Sequence, residues 1–175
     1  MIDEVKSILN NNDGSLPDIE FDFNGEVLIS KAYELIQSWS SGWASTTEPH
    51  YWSRKHKKDV NIKFGYNPSE HFLNDEIDAF HVVFSGIKSK SGKLIPELGL
   101  YILEKDFISL DYKMGMEWTG EAIIGLFELM SEIKSLSTKT TITCQGNIYD
   151  PKCEVLLSSF NRWEINTESR RSSCT

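Results

Sequence analysis

The stretch from residue 79 to residue 136 constrains the fold of this chain most. Residues 79–87 are nearly apolar throughout, and two further strand-like runs follow at 98–103 and 107–112. A polar loop from Lys88 to Lys93 leads toward the second run, and the tight turn Glu104-Lys105-Asp106 joins the second to the third. Consecutive strands with links this short form an antiparallel meander, because a parallel pair needs a crossover of a dozen or more residues. The run at 79–87 lacks alternation, so it is expected in the centre of the sheet. Straight after the meander, Ile123, Leu126, Phe127, Met130 and Ile133 recur at three- and four-residue spacing. That is one face of a helix over about 118–136, with Glu121, Glu128 and Glu132 on the opposite side.

The rest of the chain adds helices around that unit. Residues 2–10 suit a short amphipathic helix, and Leu28, Ala32, Leu35, Ile36 and Trp39 predict another over about 26–41, closed by Gly42. Residues 43–59 read as irregular. Val60, Ile62, Phe64 and Tyr66 alternate with polar or small residues, the pattern of a half-buried strand. Residues 69–78 form an acidic connector, and 140–144 a further short strand. A last helix is expected to open at Asp150-Pro151 and to bury Leu156, Leu157, Phe160 and Trp163. The expectation is therefore α+β: an antiparallel meander sheet of about four or five strands flanked by helices. With 175 residues it is read as one domain, with an acidic segment at 1–24 and a mobile tail at 167–175.

Composition narrows the function. Eighteen Lys and Arg stand against 26 Asp and Glu, a net charge of −8, which argues against wrapping nucleic acid or sitting on an anionic membrane. No apolar run is long enough to span a bilayer, and the first residues carry Asp3 and Glu4 where a secretory signal would be basic. Cys144, Cys153 and Cys174 are an odd number without a CxxC pair. They read as reduced thiols in a cytoplasmic protein.

Sequence motifs for catalysis are absent. There is no G-x-S-x-G elbow and no H-E-x-x-H helix, and Ser91-Gly92-Lys93 matches only three residues of a phosphate loop. His71, Asp75 and Asp78 would align on a helix face, but spacing of that kind more often marks a solvated connector than a metal site. His81, set among Phe and Val, reads as a hydrogen-bonded, partly buried side chain. Glu48, His50 and His56 are the best location for an alternative reading, a small His/carboxylate enzyme. The basic and aromatic segment 48–63 suits single-stranded nucleic acid, against the charge of the whole. Neither cofactor nor metal is expected.

Acidic charge is better organised. Residues 1–26 hold seven acids against Lys6, residues 70–78 add four with no base, and residues 104–132 hold seven against Lys105 and Lys113. Blocks of one sign steer association with an oppositely charged partner. The acids expected to meet such a partner are Asp18, Glu20, Asp22, Asp111, Glu117 and Glu121. Trp43 and Trp52 join them as candidate contact aromatics, because Trp adds large area at low entropic cost. An adaptor domain with some other partner fits the same features.

The run Leu110-Asp111-Tyr112-Lys113-Met114-Gly115, followed by Glu117-Trp118 and the apolar helix through Phe127, resembles bacterial immunity proteins of polymorphic or contact-dependent toxin systems. The resemblance covers about residues 79–136. It implies a protein that binds and blocks a cognate toxin domain in the producing cell, without catalysis of its own. Acidic charge then suggests a basic toxin, a nuclease being one possibility, with the inhibitor imitating a phosphate backbone. The same run has a scaffold reading: Gly115 supplying a positive φ between strand and helix, and Trp118 covering the helix start.

Overall fold

The structure is a computed structural model, and it describes residues 1–11, 17–46, 48–145 and 152–172. In chain order the elements are α1 (Ile2–Leu9), β1 (Asp18–Asp22), α2 (Ile29–Trp39), β2 (Gly42–Trp43), β3 (His50–Ser53), β4 (Lys58–Asn61), α3 (Ser69–Leu73), β5 (Phe80–Ser85), β6 (Ile87–Lys88), β7 (Leu94–Ile95), β8 (Leu98–Glu104), β9 (Phe107–Tyr112), α4 (Gly120–Lys134), β10 (Thr141–Gln145) and α5 (Lys152–Ser172). The main sheet is antiparallel and six-stranded, in the order β10-β1-β9-β8-β5-β2. The α+β class and the meander β5-β8-β9 are as the sequence predicts. The sheet is larger than expected because the acidic N-terminal segment supplies β1, which fills the space between β9 and β10.

Side-chain alternation assigns the two faces. Ile19 and Phe21 of β1, Ile108 and Leu110 of β9, Leu100 and Ile102 of β8, and Phe80, Val82 and Phe84 of β5 are all buried. They share one core with Val5 and Leu9 of α1, Ala32 and Ile36 of α2, Phe72 of α3, Leu126, Phe127 and Met130 of α4, and Leu156 and Phe160 of α5. The helices thus bury their apolar faces on one side of the sheet. At about 25 cal/mol per Å² of apolar surface, that burial is the main stabilising contribution. The other side of β1, β9, β8 and β5 points away from the core.

Several boundaries differ from the sequence pattern for local reasons. Asn24 and Gly25 take positive φ (50° and 84°), and the Gly25 amide donates to Asp106 Oδ2 at 2.9 Å. This turn delays α2 until Ile29. The Ser40 hydroxyl donates to the Ile36 carbonyl at 2.7 Å as the helix ends, so Gly42 enters β2 and is no cap. The stretch 43–59 is not irregular: β3 and β4 pair as a hairpin, Tyr51 opposite Val60 and Trp52 opposite Asp59. The strand expected through Tyr66 stops at Asn61, because the chain turns at Gly65, whose φ is 92°. Beyond Ile62, which is buried, Phe64 and Tyr66 stand exposed.

Around the resembling run, Trp118 is fully buried and donates its indole N–H to the Lys113 carbonyl at 2.8 Å, covering the start of α4. The Thr119 hydroxyl caps that helix by accepting the Ala122 amide at 3.1 Å. Gly115 has no positive φ; its amide instead donates to the Leu9 carbonyl at 2.9 Å, tying α1 to the strand-helix link. The expected Asp150-Pro151 start of the last helix lies outside the described residues. So does Cys174. α5 continues to Ser172, past residue 167 where the chain was expected to come free.

Cys144 and Cys153 are joined by a disulfide, their Cα atoms 5.5 Å apart, which corrects the expectation of free thiols for this pair. The cause is topological. Pairing β10 with β1 sets Cys144 opposite Ile19, on the core side where α5 begins. Closing a nine-residue separation restricts the unfolded chain by about 2–3 kcal/mol in the loop-entropy account. Urea denaturation with and without dithiothreitol should show a loss of that size, matched by Cys153→Ser. Identical midpoints would contradict the pairing.

Candidate functional site

The outer sheet face is built row by row from the strand register. One row runs Thr143, Glu20, Ser109, Tyr101, His81 across β10, β1, β9, β8 and β5. The neighbouring row runs Asp18, Asp111, Gly99, Val83. A third pair sets Asp22 opposite Phe107. Ser109, in the middle of the face, is buried. Tyr101 is 42% exposed and Leu103 49%. Leu103 sits at a register shift between β8 and β9, a bulge that turns the strand end outward.

The absence of a side chain at Gly99 organises the middle of this face. His81 on β5 and Asp111 on β9 lie on either side of β8, and His81 Nε2 meets Asp111 Oδ1 at 2.7 Å. A Cβ on Gly99 would overlap both groups, so only glycine lets the pair close over the strand. The His81 ring stacks on Tyr101, with centroids 4.6 Å apart and planes 22° apart. Two shallow depressions flank this stack. One, of about 430 Å³, is bounded by Asp18, Glu20, Leu103, Phe107, Ser109 and Asp111; the other, of about 560 Å³, lies toward Glu48, His50, Trp52, Asp59 and Asp78. His81 and Tyr101 border both, forming the saddle between them.

Ion pairing sorts the acids. Two acids of the connector meet a fixed cation, Asp78 with Arg54 at 2.6 Å and Asp75 with Lys105 at 2.9 Å, and Glu76 hydrogen-bonds the His71 ring. Glu26 pairs with Lys139 at 3.0 Å and Glu132 with Lys90 at 2.6 Å. Among the described residues no Lys or Arg pairs with Asp18, Glu20 or Asp22. Glu20 accepts a hydrogen bond from the Thr143 hydroxyl at 2.9 Å, and Asp22 accepts the Asn24 amide at 2.7 Å. Partial burial raises the Asp18 carboxyl above the ordinary aspartate range, and the neighbouring negative Asp111 raises it further, against smaller opposing effects from Ser109 and His81.

Four of the eight residues named from sequence therefore share one face: Asp18, Glu20, Asp22 and Asp111. Trp52 stands at its rim, 42% exposed on the hairpin. The other three do not join them. Trp43 is half-buried, donates its indole N–H to the Ile62 carbonyl at 3.1 Å and packs on Phe84 with centroids 4.9 Å apart. Glu117 and Glu121 lie beside the start of α4, where Glu121 faces Lys93 at 3.5 Å. Sequence reasoning missed Tyr101, Leu103 and the role of Gly99. The outward phase of β8, set by buried Leu98, Leu100 and Ile102, would have exposed all three as one row of alternate positions.

Chemically the face has half of a general-base arrangement and lacks the rest. His81 has its carboxylate, yet Ser109 lies two strands away, roughly 10 Å by strand spacing, and its hydroxyl bonds Asp18. The His50 ring Nδ1 meets the carbonyl of Glu48 at 3.2 Å, and His56 does not border either depression. Of the residues suggested for an enzymatic site, Glu48 and His50 border one depression and His56 does not join them. Among the described residues no group of three or more His, Cys, Asp or Glu could hold a metal ion, and no helix is long and apolar enough to cross a membrane.

The raised Asp18 carboxyl has a sign that can be checked. The native state disfavours its charge, so its contribution to stability is full below the ordinary aspartate value and is lost as pH rises through the native-state value. Asp18→Asn should therefore raise the urea midpoint at pH 7, with the gain vanishing near pH 3. A less stable variant at pH 7 would contradict this environment.

No protein-family model matches the sequence, and no curated protein matches it. Among solved structures, a chain in the 1.75 Å crystal structure of the toxic C-terminal tip of CdiA from Pseudomonas aeruginosa in complex with immune protein aligns with it at a TM-score of 0.43. Identity is 17%, and the alignment covers 69% of this chain and 80% of that one. A likeness of that size fixes neither family nor partner.

Proposed function

We propose that this chain is an immunity protein, a stoichiometric inhibitor that binds a cognate bacterial toxin domain in the cytoplasm of the cell that makes both. The observation that carries the reading is the uncovered outer sheet face, where Asp18, Glu20 and Asp22 stand without a cationic partner beside exposed Tyr101 and Leu103. A half-apolar, negatively charged face is suited to association. The resemblance of residues 110–127 to immunity proteins gives that association its biological sense.

The proposed partner is a basic toxin domain whose own ligand is a polyanion such as nucleic acid. Unpaired carboxylates then act twice. At a distance they accelerate encounter, and in contact they occupy the cations that would hold the toxin's substrate.

Co-expression with the reading frame directly upstream tests the role itself: growth is rescued and a one-to-one complex forms. The steering component has a separate test in the triple variant Asp18→Asn, Glu20→Gln, Asp22→Asn. Its association rate should fall about tenfold at low salt and approach the parent's at 0.5 M salt, where charge is screened. Equal rates at low salt would remove β1 from the mechanism.

A further inference from the structure

We propose that the groove between the β3–β4 hairpin and the outer sheet face receives a projecting, lysine- or arginine-bearing segment of the partner protein, gripped between Trp52 and Tyr101. The inference rests on the reading of this chain as a toxin inhibitor and adds where the affinity resides.

The groove's dimensions and chemistry converge on that occupant. The depression that Trp52 and Tyr101 both line holds about 560 Å³, room for a few projecting side chains. Its aromatic walls come from different elements. Tyr101 stands on the sheet, its ring fixed by the stacked His81, and Trp52 stands on the hairpin. Both are 42% exposed. Cationic side chains match this pairing, because their aliphatic stems lie on aromatic faces while their charged ends reach outward. Carboxylates stand where those ends would arrive: Asp18, Glu20 and Asp111 on one side, Glu48 and Asp59 on the other. Asp78 is already matched by Arg54, so the unmatched negative charge lies to both sides of the aromatic saddle. His81 is a positioning residue here. It holds Asp111 and Tyr101 in place across the gap that Gly99 leaves.

The division of labour has a kinetic signature. Acids on β1 govern encounter, whereas buried aromatic anchors govern how long a complex lasts. Stopped-flow and surface plasmon resonance on the full chain, with the domain encoded directly upstream, should show Trp52→Ala and Tyr101→Ala each raising the dissociation rate at least tenfold. Their association rates should stay within about threefold of the parent's. Tyr101→Phe, which keeps the ring, should retain most of the lifetime. Met116→Ala and Ile165→Ala, at exposed apolar positions outside the groove, should change neither rate. Circular dichroism checks that each variant is folded. If the parent binds and rescues growth while Trp52→Ala and Tyr101→Ala dissociate like Met116→Ala, the groove is not the seat of affinity and the inference fails alone. If the parent neither binds nor rescues, the immunity reading falls and takes the groove with it.

Discussion

Burying only one side of the six-stranded sheet is the constraint on which the rest depends. Every helix of the chain contributes apolar side chains to that one side, from Val5 of α1 to Phe160 of α5. The hydrophobic driving force is thereby satisfied without any contribution from the outward positions of β1, β9, β8 and β5. Those positions are free to carry charge, polar pairs and exposed aromatics. A parallel sheet of the same size would need cover on both faces and would leave no such surface. The antiparallel order is therefore what makes a broad polar outer face compatible with a stable core.

That face has its own internal order. Gly99 gives up side-chain packing in the middle of β8, and in return His81 and Asp111 meet over the strand. The pair fixes the tilt of Tyr101 through ring stacking. Asp18 sits opposite Asp111 at some cost, its charge disfavoured by burial and by its neighbour. Strand residues that cost the native state something, on a surface that the core does not need, are the expected signature of a site kept for binding.

How much of this is legible in the sequence follows from which forces decide each part. The meander and α4 are readable because local periodicity and burial agree there: Leu100, Ile102, Ile108, Leu110 and Ile123 are all in the core. The hairpin at 50–61 is hidden, since its residues alternate weakly and its shape is fixed by contact with β5 and the bridge from Ser53 to Ile77. β1 is readable as an acidic segment but not as an inner strand, because its place between β9 and β10 is settled by pairings about 90 and 120 residues away in the chain. Of the residues named from charge, the acids of β1 and Asp111 come to share one outer face. Trp43 misleads, because an aromatic in a Gly/Ser-rich stretch looks available until Ile62 and Phe84 are seen to engage it. Glu117 and Glu121 mislead for a related reason: nearness in sequence to Asp111 is not nearness on the surface once the chain passes from strand to helix. The motif 110–118 is mostly scaffold, with Asp111 its one outward-facing contribution to the candidate site.

Hydroxyl-radical footprinting of the purified one-to-one complex tests the central claim most directly, since it reads side-chain solvent access residue by residue. The account predicts strong protection of Trp52, Tyr101, Leu103 and Phe107 on complex formation, with Met116, Leu94 and Ile165 oxidised as in the free protein. Protection confined to the helical side, with Tyr101 and Leu103 still fully reactive, would contradict it.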